Sequence, residues 1–159
     1  MKTPKIYLET TVFNFLFADD APDKKADTVK LFEEIKEGKY LPYTSAYVLQ
    51  EINAASAPKK TQMLDLIREH NVNLIATSNE ATKLASVYVK EGIIPQKYVT
   101  DALHIATATI DGLDFVVSYN FKHIVKRKTI LMTGVVNLRE GYKQVGIFSP
   151  TEVIDNDNE

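Results

Sequence analysis

Along this chain, short apolar runs alternate with longer stretches in which apolar residues return every three or four positions. Residues 5–8 (KIYL) predict a strand that sets a β-branched residue beside an aromatic. Residues 24–37 predict a helix with Val29, Phe32 and Ile35 on one stripe, stopped at Gly38. Residues 40–44 (YLPYT) read as a second strand, although Pro42 is a poor member of a central ladder. Ser45 then caps a helix that carries Val48, Leu49 and Ile52. Pro58 opens a further helix running to about His70, and residues 72–76 (VNLIA) make a third strand.

The second half repeats the alternation. Thr77 with Glu80 predicts a capping box for a helix over 78–91, ended by Gly92. Pro95 begins a segment that becomes a helix through Asp101, His104, Ile105 and Ala108, ending near Gly112. Residues 114–118 (DFVVS) form a fourth strand, followed by a basic loop and a helix over roughly 127–140. Residues 145–148 (VGIF) make a fifth strand, and Ser149 to Glu152 cap a last helical turn.

Strands separated by helices predict an α/β fold, a three-layer α/β/α sandwich around a five-stranded, mainly parallel sheet. No repeat or internal boundary interrupts it, so residues 1–154 read as a single domain and 155–159 as a flexible acidic tail. In such a sheet chemistry belongs in the crevice beyond the carboxyl ends of the strands.

Composition narrows the function classes. The chain has 159 residues, 45% of them hydrophobic, which is enough to bury a core. It has no cysteine, which excludes disulfides, zinc–thiolate sites and a thiol nucleophile. The first residues, MKTPKIYLETTVFNF, lack the apolar run and cleavage site of a signal peptide. No stretch reaches the roughly 20 apolar residues of a membrane span, so a cytoplasmic setting and no membrane partner are expected. The net charge of −2 would be unusual for a dedicated duplex binder. A nuclease can carry it, because metal-binding carboxylates offset a local basic patch.

Several polar residues are placed on the carboxyl rim. Glu9 follows the first strand and breaks an otherwise apolar run, IYLETTVFNFLF, where a charge is costly unless it is paired. Glu51 lies in the first turns of a helix leaving the second strand, and taken alone would be an ordinary solvated glutamate. Asp101 opens the helix leading into the fourth strand, where by itself it would only complement the helix dipole. Their convergence gives them a common meaning. Crowded carboxylates repel unless a cation neutralises them, and a hard divalent ion, Mg²⁺ or Mn²⁺, prefers such oxygens. That ion clamps a phosphodiester and activates water.

Other polar residues read differently. His104 shares the face of Asp101 and reads as a satisfied buried histidine. Lys122, His123, Lys126, Arg127 and Lys128 form a basic stretch suited to phosphate. Asp111 and Asp114 fall at the opposite edge of the sheet, and Asp19 and Asp20 read as loop and cap residues.

These residues resemble the PIN-domain family, and among its members the VapC-like toxin ribonucleases. Ile6 to Phe13 (IYLETTVF) is similar to the first motif, an acid after the first strand followed by small hydroxyl residues. Residues 45–52 (SAYVLQEI) resemble the second, 101–108 (DALHIATA) the third, and 116–124 (VVSYNFKHI) the fourth. Residues 148–154 (FSPTEVI) fit the family's closing strand and turn. The resemblance implies a ribonuclease that depends on Mg²⁺ or Mn²⁺, with Glu9, Glu51 and Asp101 on the metal. It also implies a homodimer and, for the toxins of toxin–antitoxin pairs, an inhibiting antitoxin protein. Helices 45–54 and 78–91, with their apolar and tyrosine residues, are the expected contacts for a second subunit.

Two departures from the pattern bear on activity. Glu9 stands where aspartate is usual, and Asn120 replaces a fourth acid, with His123 where some members carry aspartate. Less negative charge predicts one well-held metal rather than two. The leading expectation is hydrolysis of single-stranded RNA, with Asn120 orienting the attacking water and Thr10 or Thr11 placing the phosphate or supporting Glu9. Ser45, Lys122 and His123 complete the substrate-binding candidates. The alternative is a weak or inactive scaffold that binds RNA or a protein partner. A phosphoacceptor receiver domain is excluded, because the third strand ends IATSN without aspartate and the last ends IFSP without lysine.

Overall fold

The computed structural model describes residues 2–155. Five strands, β1 (Lys5–Leu8), β2 (Leu41–Ser45), β3 (Asn73–Ile75), β4 (Phe115–Val117) and β5 (Gly146–Phe148), form one all-parallel sheet in the order β3-β2-β1-β4-β5. The helices are α1 (Thr10–Phe15), α2 (Pro22–Lys36), α3 (Ala46–Asn53), α4 (Ala57–Glu69), α5 (Asn79–Lys90), α6 (Val99–Ile110), α7 (Arg127–Arg139) and α8 (Pro150–Val153). Right-handed crossovers that run outward from β1 to β3 and then back across to β4 put helices on both faces. Accordingly α5 packs on α6 and α7, while α1 packs on α2, α3 and α4. The expected three-layer sandwich is the fold observed.

The central strands are buried on both faces, as a parallel sheet requires. Ile6, Tyr7 and Leu8 of β1 and Val116 and Val117 of β4 are fully buried. Pro42 is accommodated inside β2 because β3 pairs only with Tyr43–Ser45, so one side of Pro42 has no ladder to complete. There the Asn73 side-chain amide donates to the Pro42 carbonyl at 3.1 Å.

Three local expectations are corrected. Residues 10–15 form a helix, α1, where the sequence shows only an unbroken apolar run. The helix over 78–91 is capped by Ser78, whose hydroxyl accepts the Ala81 N–H at 3.1 Å, and not by Thr77 with Glu80. On α2 the buried stripe is Thr28, Leu31, Phe32 and Ile35, and Val29 stands exposed beside it. At the other end, Glu152 accepts the N–H and hydroxyl of Ser149, as its spacing predicts. Asp155, the first residue of the expected tail, donates its N–H to Glu34 at 3.0 Å, and residues 156–159 lie outside the described residues.

Candidate active site

The strand order reverses its direction of growth between β1 and β4, so their carboxyl ends open a crevice. Glu9 leaves β1 at that point. Its N–H bonds the Val117 carbonyl at 3.1 Å and its carbonyl accepts Val12 N–H at 3.0 Å, so the backbone holds it between the sheet and α1. The side chain is only 2% exposed, a severe burial for a carboxylate. Its Oε1 accepts two hydroxyls, Thr11 Oγ1 at 2.5 Å and Ser118 Oγ at 2.6 Å. Each hydroxyl in turn accepts a backbone N–H of the loop after β4: Tyr119 to Thr11 at 2.8 Å and Asn120 to Ser118 at 2.9 Å. The acid, α1 and the loop are therefore one hydrogen-bonded unit.

Glu51 reaches the same crevice from α3. Its Oε1 accepts Thr10 Oγ1 at 2.8 Å and stands 2.7 Å from Nε2 of His104. His104, on α6, is fully buried, and its Nδ1 lies 2.6 Å from the Tyr7 hydroxyl, which lies 2.7 Å from Ser45 Oγ. Ser45 also accepts the Tyr47 N–H at 3.2 Å as the cap of α3. A carboxylate only accepts, so His104 Nε2–H donates to Glu51. With a neutral ring, Tyr7 O–H donates to Nδ1 and Ser45 O–H to Tyr7, and every member of the chain is satisfied. Burial pushes the Tyr7 hydroxyl far up, so it stays protonated. Burial works to raise the Glu51 carboxyl, but the hydrogen bond and charge of His104 and the Thr10 hydroxyl outweigh it and hold it below the usual range. For His104 burial works downward, and the Glu51 hydrogen bond with the charges of Glu9, Glu51 and Asp101 shifts it up overall.

Asp101 opens α6 on the far wall. Burial raises its pKa and the Glu9 charge adds to that, against His104, His123 and the Asn120 amide, which pull the other way. A cavity of about 320 Å³ brings these groups together, lined by Glu9, Thr10, Thr11, Asn14, Glu51, Lys59, Met63, Asp101 and Asn120 among others. One ligand atom each from Glu9, Glu51 and His104 lies within 4.8 Å of the others.

Of the remaining candidates, Asn120 lines the cavity and Ser45, Lys122 and His123 do not. Ser45 is buried beneath the cavity, occupied with Tyr7 and Tyr47. Asn120 Oδ1 accepts the His123 N–H at 3.0 Å, closing the turn that follows β4. The His123 ring stacks on Tyr98 at 4.0 Å, and the Lys122 ammonium lies 5.9 Å from the Tyr98 ring. Asn14 and Lys59 line the cavity without having been singled out in the sequence. Asn14 belongs to the unforeseen α1. Lys59 arrives because α4 packs on α1 and α3, a tertiary event with no local signature.

No family profile and no curated protein matches the chain. Among solved structures it is similar to a chain of VapBC2 from Rickettsia felis, bound to a DNA fragment from their promoter. The TM-score is 0.56 at 16% identity, with 91% of this chain and 98% of that chain covered. At that identity the likeness speaks for the fold.

Proposed function

We propose that this protein is a metal-dependent endoribonuclease that hydrolyses phosphodiester bonds of single-stranded RNA. One observation carries the reading: carboxylates from three separate elements share one cavity, and no lysine or arginine ion pair neutralises them among the described residues. Such a donor set fits a hard divalent cation, Mg²⁺ or Mn²⁺. When bound, that ion supplies charge neutralisation, Lewis acidity toward the phosphodiester and a lowered pKa for water.

Glu9, Glu51 and Asp101 are the residues to hold it. In both glutamates the hydrogen bonds fall on Oε1, which leaves Oε2 as the oxygen for a cation. His104 belongs to the supporting layer, because its Nε2–H is already given to Glu51 and its Nδ1 already accepts the Tyr7 O–H. Thr10, Thr11 and Ser118 hold the two glutamates in place. Asn120 has its carbonyl occupied by His123 and one amide N–H turned to Asp101, which leaves the other N–H to orient water or a phosphate oxygen. Lys59, in the cavity wall, meets the phosphate as a point charge. Lys122 and His123 extend that contact along the strand.

The likeness to VapBC2 supports a protein partner of the antitoxin kind and a second copy of the chain. Helices 45–54 and 78–91 remain the proposed contacts for that second copy, and α7 adds an open apolar surface at Leu131, Val135 and Leu138, which are 55%, 64% and 73% exposed. No helix among the described residues is long and apolar enough to cross a membrane.

Calorimetric titration of Mn²⁺ into the metal-stripped protein, beside Asp101→Asn, tests the reading. Binding in the parent and its loss in the variant, followed by cleavage of single-stranded RNA, is the expected result; absence of binding at millimolar Mn²⁺ would refute it. A second reading, a weak or inactive scaffold, rests on Glu9 and Asn120 standing where aspartates are usual. It requires the parent to bind Mn²⁺ no better than Glu51→Ala.

A further inference from the structure

Beside the acid cavity lies a group of aromatic side chains that the hydrolytic chemistry does not use. Two cavity-lining asparagines, Asn14 and Asn120, are each followed directly by a phenylalanine, Phe15 and Phe121. The two phenylalanines thus start one residue, about 3.8 Å of chain, from the cavity wall. Tyr119 joins them, its ring 4.6 Å from that of Phe15 and 6.4 Å from that of Phe121. The Lys24 ammonium sits between the rings, 5.1 Å from Phe15 and 5.6 Å from Phe121.

This is not a piece of core. Tyr119 is tied down by its hydroxyl, which bonds Thr28 and the Lys24 carbonyl, and Phe15 packs on its ring. Phe121, in contrast, is 49% exposed. Half of a large apolar ring is left in water on a loop whose backbone is fixed to Glu9 through Thr11 and Ser118. A rigidly placed, half-exposed aromatic ring that carries a cation is the arrangement that single-stranded nucleic acids use: the base stacks on the ring and the ammonium meets the backbone. Bases of a duplex are already stacked and cannot reach such a face.

We propose that Phe121, with Lys24, forms a stacking subsite for an unpaired nucleobase next to the phosphodiester held in the acid cavity. The subsite deepens the nuclease reading and rests on it for the place of the neighbouring phosphate. It accounts for a preference for single strands by a residue outside the catalytic group. Selectivity among the four bases is not expected from it, since every base presents a π-face.

The chain contains no tryptophan, so Phe121→Trp introduces a single selective reporter. In an Asp101→Asn background, which keeps RNA intact, its emission is expected to be quenched by a short single-stranded RNA. An abasic backbone of equal length and a duplex of the same sequence should leave it unchanged. In the same background Phe121→Ala should weaken RNA binding roughly tenfold with an unaltered salt dependence, and Phe121→Leu should not restore it. Lys24→Gln should reduce the salt slope by about one phosphate contact.

Equal binding by Phe121→Ala, full rescue by leucine, or equal quenching by the abasic backbone would overturn the proposal. The two readings separate cleanly. Quenching by RNA together with no cleavage by the parent sinks the nuclease and keeps the stacking subsite. Cleavage by Phe121→Ala at parental KM does the reverse, and binding of no oligonucleotide at all sinks both.

Discussion

The sheet carries acids at both of its ends, and their surroundings are opposite. At the amino end Asp114 accepts the Lys5 N–H at 2.8 Å and the Lys143 ammonium at 2.7 Å, with its side chain 35% exposed. At the carboxyl end Glu9 and Glu51 are held by hydroxyls and an imidazole and Asp101 by the Asn120 amide, with no lysine or arginine ion pair among the described residues. Asp114 is neutralised by the chain itself and its role ends there. In the carboxyl-end cluster three carboxylates face one imidazole, so hydrogen bonds are satisfied while negative charge stays in excess, which is the electrostatic condition for recruiting a cation from solution.

The comparison breaks most sharply at Glu9. Glutamine at this position keeps an oxygen for Thr11 and Ser118 while removing a buried charge. The metal-free Glu9→Gln protein should therefore melt at or above the parent's temperature. Saturating Mn²⁺, at about a hundred times its Kd, should raise the parent's Tm by about 5–10 °C and the variant's hardly at all. Differential scanning fluorimetry with and without Mn²⁺ reads both effects. A variant that loses stability without metal yet keeps the Mn²⁺ rise would mean that Glu9 is an ordinary buried hydrogen-bond acceptor.

A smaller effect is expected one layer below. Tyr7→Phe keeps the ring that packs 5.7 Å from His104 but removes the hydroxyl between His104 and Ser45. A buried Nδ1 is left without its donor, at a cost of about 1–3 kcal/mol. Urea denaturation should show a lower midpoint with an unchanged slope. Because the hydroxyl also fixes the ring that bonds Glu51, Mn²⁺ should bind the variant less tightly, though far less weakly than Asp101→Asn. Unchanged stability and unchanged Mn²⁺ affinity together would show that the buried chain neither stabilises the fold nor orders the glutamate.

Much of this was legible in the sequence, and the parts that were not share a cause. Strands and helix order follow from runs and periods, and parallel crossovers then place Glu9, Glu51 and Asp101 at one end of the sheet. The cap at Ser45 and the box at Ser149 are local chemistry and are readable as such. The helix α1 is not, because six residues with two threonines and a valine have low helix propensity and it forms where Glu9 is held by the sheet. The chain from Ser45 through Tyr7 and His104 to Glu51 joins residues on four separate elements, β2, β1, α6 and α3. No spacing encodes such a contact. Thr77 lost to Ser78 as helix cap by a single position, within the ordinary uncertainty of helix ends.

The smallest effect belongs to the amino end and serves as the control. Asp114 is held below the usual carboxylate range by the Lys143 hydrogen bond first, then the Lys5 N–H. A carboxylate whose folded pKa is depressed contributes stability above its unfolded value, and that contribution fades as pH falls through the folded value. Asp114→Asn should therefore lower stability near neutral pH, and the difference from the parent should shrink in acid. For so exposed a pair the cost is below about 1 kcal/mol. Its Mn²⁺ binding should match the parent's, since the residue sits at the opposite end of the strands. Urea midpoints for parent and variant at neutral and at acid pH, with one Mn²⁺ titration, decide the matter. A loss of Mn²⁺ affinity in this variant would show that the two ends are coupled through the sheet, and the contrast between a self-neutralised acid and a cation-recruiting cluster would fail.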